Sequence, residues 1–524
     1  MAEHAAGAPS RATAARAPAT GAPAAAEPTA EHGSPEGGSS AAVPGATGVA
    51  RRPPAVVSPV SGEGGPVPAP GRVDLDRPRR LHLVGIGGSG LSSMAEVLIG
   101  MGHRVSGSDV ADSPVLDRLR GLGVAVTVGH DTGAAVGAEV VTVSTAIPAD
   151  DPEVAAARAA GVAVVRRAAL LAAITALRRT VAVSGTSGKT TTTAMLATTL
   201  AGAGARPSFV VGGVVEGLGA GGHWDQGEWL AVEADESDGT FLHLAAEVAV
   251  VTSVAPDHLD HWGSFAALVD AFARFSAAAR VALVCADDDV AAGVGRTVGA
   301  RSYGTAPGAD YRVVGLELEP AASRFRLERH GVVLGEVGVP QPGRHNALNA
   351  AAALAAAMET GVAFADAAAA LARFPGVARR FELRGQAGGV TVVDDYAHLP
   401  DKVAAAIAAA RGGGWRRVVC VFQPHRYSRT EALWRDFATA FDGVDVLVVT
   451  DVYAAGEAPR AGVSGKLIVD AVAAARPAQA VAWLPRRADV LPFLRSRLRP
   501  GDLCLTVGAG DVTTLADDLL AALS

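Results

Sequence analysis

Short apolar runs recur along most of this chain, bounded by glycine or polar residues and separated by longer stretches of helical spacing. Such alternation of strand-like and helix-like segments predicts parallel sheets covered by helices. The first run, 80–84, leads through a glycine-rich turn into a helix over 91–100, and strands follow at 103–106, 124–128 and 139–143. After a boundary near 177–179, a second unit opens with the strand 180–184. It carries strands at 229–232 and 248–252 and an alanine-rich helix over 349–358, and it ends near 378. A third unit has strand runs at 390–393, 417–422, 444–450 and 502–507. Residues 1–78 are different: almost all Ala, Pro, Gly, Ser, Glu and Arg, without periodicity. So little bulky apolar surface cannot offset the entropy of ordering, so this segment is expected to be disordered. The expected architecture is α/β: a disordered tail over 1–78, then three consecutive α/β domains over 79–178, 179–378 and 379–524.

Chemistry concentrates where the predicted strands end. The strand 180–184 runs into Gly185-Thr186-Ser187-Gly188-Lys189-Thr190, followed by Thr191 and a helical stretch. Successive main-chain N–H groups of a glycine-rich turn opening onto a helix make a concave anion site. Lys189 adds a point charge for terminal phosphates, and the Thr190 hydroxyl suits Mg²⁺. The glycine of the ordinary nucleotide loop, five positions before the second one, is replaced here by Val183, so the loop is a shortened form. In the same unit Glu233, Asp235, Glu236 and Asp238 crowd the end of one strand, and Asp257 and His258 the end of another. Mg²⁺ prefers oxygen ligands and takes only one or two carboxylates.

The first unit fits G-x-G-x-x-G through Gly85, Gly87 and Gly90, with Asp109 about 20 residues on. The pattern requires a diphosphate at a helix N-terminus and a sugar nearby, which a UDP-sugar satisfies as well as a dinucleotide. His345, Asn346 and Asn349 suit hydrogen bonding and stacking with a base, and Arg379 and Arg380 lie at the boundary between units two and three. In the third unit, polar groups gather at strand ends, among them Tyr396, His398, His425, Arg426 and Arg429. Ligands of open α/β sheets bind at those ends, and the cationic group suits a carboxylate.

Composition narrows the class of protein. Of 524 residues, 49% are hydrophobic, ample for several cores. A formal charge of −7 gives no electrostatic basis for nucleic acid or an anionic membrane as partner. Cys285, Cys420 and Cys504 are scattered among apolar runs and read as reduced core thiols. No apolar run reaches the roughly 18 residues of a membrane-spanning helix, and the N-terminus lacks a signal-peptide layout. These features predict a cytoplasmic protein without membrane insertion.

The phosphate loop resembles that of the Mur ligases and folylpolyglutamate synthetases, and the whole set of runs resembles the alanine-adding branch of the Mur ligases. The likeness spans about residues 80–520. It is carried by His82-Leu-Val-Gly-Ile-Gly-Gly88, Val105-Ser-Gly-Ser-Asp109, the phosphate loop, Glu233-Ala-Asp-Glu-Ser-Asp238, Gly343-Arg-His-Asn346, Asp394-Asp-Tyr396, Phe422-Gln-Pro-His-Arg-Tyr-Ser-Arg429 and Asp451-Val-Tyr-Ala-Ala-Gly-Glu457. The resemblance implies a Rossmann-like first domain that holds the UDP of UDP-N-acetylmuramate through Gly85, Gly87, Gly88, Ser89, Gly90, Ser108 and Asp109. It implies a central phosphate-loop domain that binds Mg-ATP through Gly185, Thr186, Ser187, Gly188, Lys189, Thr190 and Thr191. There Thr190, Glu233 and His258 lie near the metal, and His345, Asn346 and Asn349 serve the adenine. In a Rossmann-like third domain, Tyr396, His398, His425, Arg426 and Arg429 surround L-alanine. Lys189, Glu233, His258 and Arg380 are the implied catalytic set, for an ATP-dependent ligation through an acyl phosphate in peptidoglycan synthesis. Small-molecule substrates and a monomer or weak homodimer are implied with it.

Four departures stand out. Ser187 replaces the branch's usual histidine, Ser253 an asparagine, Leu399 the second of two histidines before Pro400, and Asp151 a frequent asparagine. A related amide ligase with another amino acid or acid, and an inactive nucleotide-binding paralogue, are the alternatives. A nicotinamide oxidoreductase, read from the 85–90 turn, would leave the phosphate loop unexplained.

Overall fold

The computed structural model describes residues 73–144, 147–319 and 321–524. The tail expected over 1–78 lies outside the described residues up to 72. Over 73–78 the expectation of disorder is corrected: Val73 and Leu75 are buried with Leu81 and Leu83, so packing begins ahead of the first strand.

The first sheet comprises β1 (Arg80–Val84), β2 (Arg104–Asp109), β3 (Ala125–Val128), β4 (Val140–Val143) and β5 (Ala163–Arg166). Its order is β3-β2-β1-β4-β5, parallel throughout. The chain reverses its winding beside β1, where a doubly wound sheet opens a crevice for a ligand, and the 85–90 turn sits there.

Ten strands build the central sheet: β6 (Arg179–Ser184), β7 (Ser208–Val215), β8 (Ala220–His223), β9 (Trp229–Glu233), β10 (Ala246–Val251), β11 (Val281–Cys285), β12 (Arg301–Gly304), β13 (Tyr311–Leu318), β14 (Ser323–Arg329) and β15 (Val332–Val339). The order is β15-β14-β13-β12-β11-β10-β6-β9-β7-β8. An antiparallel meander, β13 to β15, ends one edge, and an antiparallel β7–β8 pair ends the other. The phosphate-loop strand β6 lies near the middle, buried between β9 and β10. The helices Lys189–Gly202 and Arg344–Glu359 pack on each other against one face. The second begins five residues earlier than its apolar spacing predicts, which puts His345 and Asn346 in its first turn. Ala350 to Ala357 are almost all alanine and fully buried, small enough for a helix enclosed on every side to approach its neighbours closely.

The third sheet consists of β16 (Glu382–Ala387), β17 (Val390–Asp395), β18 (Arg417–Phe422), β19 (Val446–Val449), β20 (Ala480–Trp483) and β21 (Asp502–Val507), in the order β16-β17-β21-β18-β19-β20. Only the β16–β17 pair is antiparallel.

Apolar packing divides these units unequally. Leu98 and Met94 below the first sheet share one cluster with Val210, Leu230 and Val251 of the central sheet. The two clusters of the third sheet contain only residues from Phe381 onward. The first two units are thus joined by a continuous core, and the third has apolar clusters of its own. Among the described residues no helix is long and apolar enough to cross a membrane.

Candidate active site

Strand β6 ends at the phosphate loop, whose shape depends on two glycines in the left-handed half of backbone space, Gly185 at φ +134° and Gly188 at φ +87°. A Cβ at Gly185 would collide with the Thr252 hydroxyl, and one at Gly188 with the Asn349 side chain. The loop is braced by the segment after β10. Thr186 N–H donates to Ser253 O at 2.9 Å, Ser187 N–H to Ser253 Oγ at 3.0 Å, and Ala255 N–H to Thr186 Oγ1 at 2.9 Å. Lys189 Nζ donates to Gly185 O and to both oxygens of the buried Glu236, at 2.7 to 2.8 Å. Burial works against this ammonium, but the carboxylates of Glu236, Asp235 and Glu233 outweigh it and hold its pKa above the ordinary lysine value. Thr190 Oγ1 donates to Glu233 Oε1 at 2.9 Å, and Gly212 N–H holds the other oxygen of Glu233 at 2.6 Å.

Across the cleft the link into the third sheet presents one arginine to this loop. Arg379 and Phe381 both have left-handed backbones, at φ +61° and +49°, costly conformations for side-chain-bearing residues. Asp395 fixes the turn by accepting from Phe381 N–H and Ala397 N–H, each at 2.8 Å. Between them Arg380 reaches Thr190 Oγ1 at 3.1 Å. Arg379 turns the other way, donating to the carbonyls of Gly508 and Gly510 at 2.7 and 3.0 Å. The Tyr396 ring lies under both guanidiniums, 4.8 and 4.9 Å from their carbons.

The third-sheet residues form one patch. Arg429 donates to His425 Nδ1 at 3.0 Å, and His425 stacks on Tyr453 with ring centroids 5.8 Å apart. Burial, with Arg429 and Arg426 nearby, pushes the His425 pKa down to about 4, so this imidazole is neutral and free to accept. His398 is 5.7 Å from His425 and hydrogen-bonds Tyr396 O at 3.0 Å. A carbonyl only accepts, so Nδ1 carries the proton and Nε2 the lone pair. Burial, then Arg429 and Lys402, hold His398 well below the ordinary histidine pKa.

One cavity of about 980 Å³ unites these groups. Of the residues expected to bind ATP and metal, Thr186 to Thr191, Glu233, His258, His345, Asn346 and Asn349 line it. Burial lowers the His345 pKa to about 4. Asn346 and Asn349 spend part of their amides on Pro342 O and on each other. Tyr396, His398, His425, Arg426, Arg429 and Arg380 also line it, as do Ser89 and Gly90 from the first sheet. Gly85, Gly87, Gly88, Ser108 and Asp109 lie outside it. The Ser108 hydroxyl is buried and donates to Glu153 at 2.6 Å. Asp109 holds the turn itself, accepting from Gly87 N–H at 2.9 Å.

Arg167 has no place among the expected site residues, and Glu236 is there only as one of four acids. Arg167, at the start of the helix Arg167–Thr175, bridges Asp235 and Asp238 at 3.2 and 2.9 Å and lines the cavity beside Gly90. Glu236 is the buried partner of Lys189. An arginine after a short strand carried no local signal. Glu236 stood among four acids that spacing alone does not rank.

The departures resolve geometrically. Ser187 and Ser253 touch each other. Leu399 is buried at the start of the helix Pro400–Arg411 and is not part of the cavity wall. Asp151 caps the helix Pro152–Ala159, accepting from Glu153 N–H and Val154 N–H at 2.9 and 3.3 Å, which an asparagine carbonyl would do equally. With His130 and Glu153 it forms, among the described residues, the one three-membered cluster of imidazole and carboxylates. Glu153 is already satisfied there by Ser108, His82 and Asp131 N–H.

Comparison with known families agrees with this geometry. Residues 80–179 match the Mur ligase family catalytic domain, 183–357 the Mur ligase middle domain, and 379–510 the Mur ligase glutamate ligase domain. The chain belongs to the Mur ligase family. Within it, the chain is 45% identical over 454 residues to a UDP-N-acetylmuramate–L-alanine ligase of Anaeromyxobacter sp. strain Fw109-5, covering 85% of this chain and 98% of that protein. It is 43% identical over 449 residues to the protein of that name from Myxococcus xanthus, covering 85% and 95%. The crystal structure of a UDP-N-acetylmuramate–alanine ligase from Thermotoga maritima superposes with a TM-score of 0.74 at 28% identity, covering 85% of this chain and 99% of that one.

Proposed function

We propose that this chain is an ATP-dependent ligase that joins L-alanine to the carboxylate of UDP-N-acetylmuramate, a step of peptidoglycan synthesis. The observation that carries the reading is the single cavity, which the phosphate loop, Ser89-Gly90 of the first sheet and the His398–His425–Arg429 patch line together. It brings a nucleotide triphosphate, a diphosphate-sugar and an amino acid within reach of one another.

Each group has a task. The 85–90 turn and the start of the helix Ser89–Gly100 receive the diphosphate. Lys189 leaves Glu236 for the terminal phosphates, and Arg380 leaves Thr190 for the γ-phosphoryl group as the muramyl carboxylate attacks it, which breaks the bond to the β-phosphate, releases ADP and leaves an acyl phosphate. Thr190 Oγ1 and Glu233 Oε1, two oxygens 2.9 Å apart beside the loop, fit Mg²⁺, which would neutralise phosphate charge. His258, a nitrogen donor, suits a hydrogen bond to a metal-held water better than direct ligation of so hard an ion. His345, Asn346 and Asn349 face the adenine. Arg429, kept directional by its bond to neutral His425, clamps the alanine carboxylate with Arg426. L-Alanine reacts as the free amine, its ammonium proton lost to water. His398 Nε2 accepts a hydrogen bond from that amine, which attacks the acyl-phosphate carbonyl. The tetrahedral intermediate expels inorganic phosphate, which takes the surplus N–H proton. Closure of the separately packed third unit excludes water from the acyl phosphate. The substrates are metabolites of the cytoplasm, where the reading places the protein.

Phosphate release from ATP in the presence of UDP-N-acetylmuramate and each amino acid in turn tests the assignment. Release with L-alanine above all others supports it. Release with a different amino acid would move the chain to another branch, and nucleotide binding without release would make it an inactive paralogue.

A further inference from the structure

Lys402 is a cation of the cavity that this mechanism does not use. Lys402 stands in the first turn of the helix Pro400–Arg411, two residues after the proline that opens it, and it lines the same cavity as Lys189 and Arg380. Lys189 is bound to Glu236, Arg380 to Thr190 and Arg429 to His425. Among the described residues the Lys402 ammonium has neither hydrogen bond nor ion pair.

We propose that Lys402 is a third cation for the γ-phosphoryl group, offered from the far side of the cleft; this rests on the ATP-dependent reading above. Three elements then converge on one anion: the start of the helix Lys189–Gly202, the link carrying Arg380, and the start of the helix Pro400–Arg411. The last adds its own polarity. Its N-cap is Leu399, which supplies no side-chain acceptor, so the free amides of its first turn favour an anion in front of them.

Its surroundings leave the lysine short of negative charge. Lys189 and Arg380 face it as like charges and Asp257 and Asp401 as opposite ones, and its own charge acts on His398. Burial, then Lys189, lower its pKa to about 8. An ammonium half-buried beside two other cations is unfavourable until an anion arrives. A triphosphate reverses the balance, so the charge of Lys402 is linked to occupancy of the terminal phosphate site.

The test uses the full chain with Lys402→Met and Lys402→Arg. Binding of ADP and of a non-hydrolysable β,γ-imido ATP analogue is followed by titration calorimetry at pH 8, in two buffers of different ionisation heat. The wild type should take up a fraction of a proton with the analogue and less with ADP. Lys402→Met should bind the analogue at least about tenfold more weakly, the cost of losing one charge-assisted hydrogen bond, with ADP affinity held within about twofold and the extra proton uptake abolished. Lys402→Arg should keep the preference for the analogue. Removing an unpaired cation from beside Lys189 and Arg380 should leave the melting temperature unchanged or raised. Equal losses for ADP and the analogue, unchanged binding, or a rise confined to the KM for L-alanine would each overturn the proposal. The wild-type proton uptake needs no variant, and its absence with tight analogue binding would overturn it too. Failure of the wild type to bind either nucleotide would instead remove the ATP reading, and this proposal with it.

Discussion

Ser253 Oγ accepts the main-chain N–H of Ser187 at 3.0 Å, so two positions at which this chain departs from the alanine-adding pattern are in contact. The bond joins the phosphate loop to the segment after β10, and both residues line the cavity. Its donor is backbone, and the Ser187 hydroxyl takes no part.

The two serines should therefore respond differently to substitution. Ser253→Ala leaves a loop amide without its partner, which costs about 1–3 kcal/mol. The KM for ATP should rise about tenfold, with the KM for L-alanine unchanged. Ser187→Ala keeps the bond and should alter neither constant by more than about twofold. A larger effect at Ser187 would mean that its side chain meets the nucleotide directly.

Arg380 and Arg379 are neighbours with opposite duties. Arg380 reaches the phosphate loop, whereas Arg379 ties the link to the carbonyls after β21. A guanidinium on a transferring phosphoryl group contributes on the order of 10³ or more in turnover. Arg380→Ala should lower kcat by about that factor with little change in the KM for ATP. Arg379→Ala should act through the shape of the link, lowering the melting temperature and costing less in kcat. Steady-state kinetics and thermal melts of both variants check the division, and a larger kcat loss at Arg379 would reverse it.

Much of the architecture was legible because continuous apolar runs mark strands buried on both faces: β18 and β21 fall where their runs predict. The β13–β15 meander has no continuous apolar run to mark it; its signal is subtler, since Ser323–Arg329 alternates arginine with buried Phe325 and Leu327, the period-two pattern of a strand with one wet face. The phosphate loop was legible since its chemistry is local. Lys189–Glu236, Arg167–Asp235 and Ser187–Ser253 were not, because each joins side chains far apart in sequence at positions that several residues could have filled. Spacing also could not decide between Arg379 and Arg380. That choice is made by the two left-handed residues that flank Arg380.

Lys189 separates stability from chemistry. Removing one partner of a buried pair strands the other, at a cost of about 3–5 kcal/mol. Lys189→Met should therefore lower the melting temperature markedly as well as abolish turnover. Adding Glu236→Gln removes the stranded carboxylate, so the double variant should regain most of the melting temperature while staying inactive. Were the double variant no more stable than Lys189→Met, the pairing would not be what holds the empty loop.

His345 and His425 make a prediction about acid. Each has a folded pKa of about 4 against an ordinary value of 6.5, lowered first by burial. A group whose pKa is depressed by folding binds fewer protons in the folded chain, so its stabilising contribution is present above 6.5 and lost as pH falls towards 4. The melting temperature of the wild type should therefore decline between pH 6.5 and 4 more steeply than that of a His345→Gln/His425→Gln variant. Parallel curves would mean that the imidazoles are not held neutral. The same depression keeps His425 an acceptor for Arg429 throughout the neutral range. The KM for L-alanine should consequently be flat between pH 6 and 8 as far as this histidine is concerned, and a protonation step there that disappears in His425→Gln would contradict the neutral imidazole on which the carboxylate clamp depends.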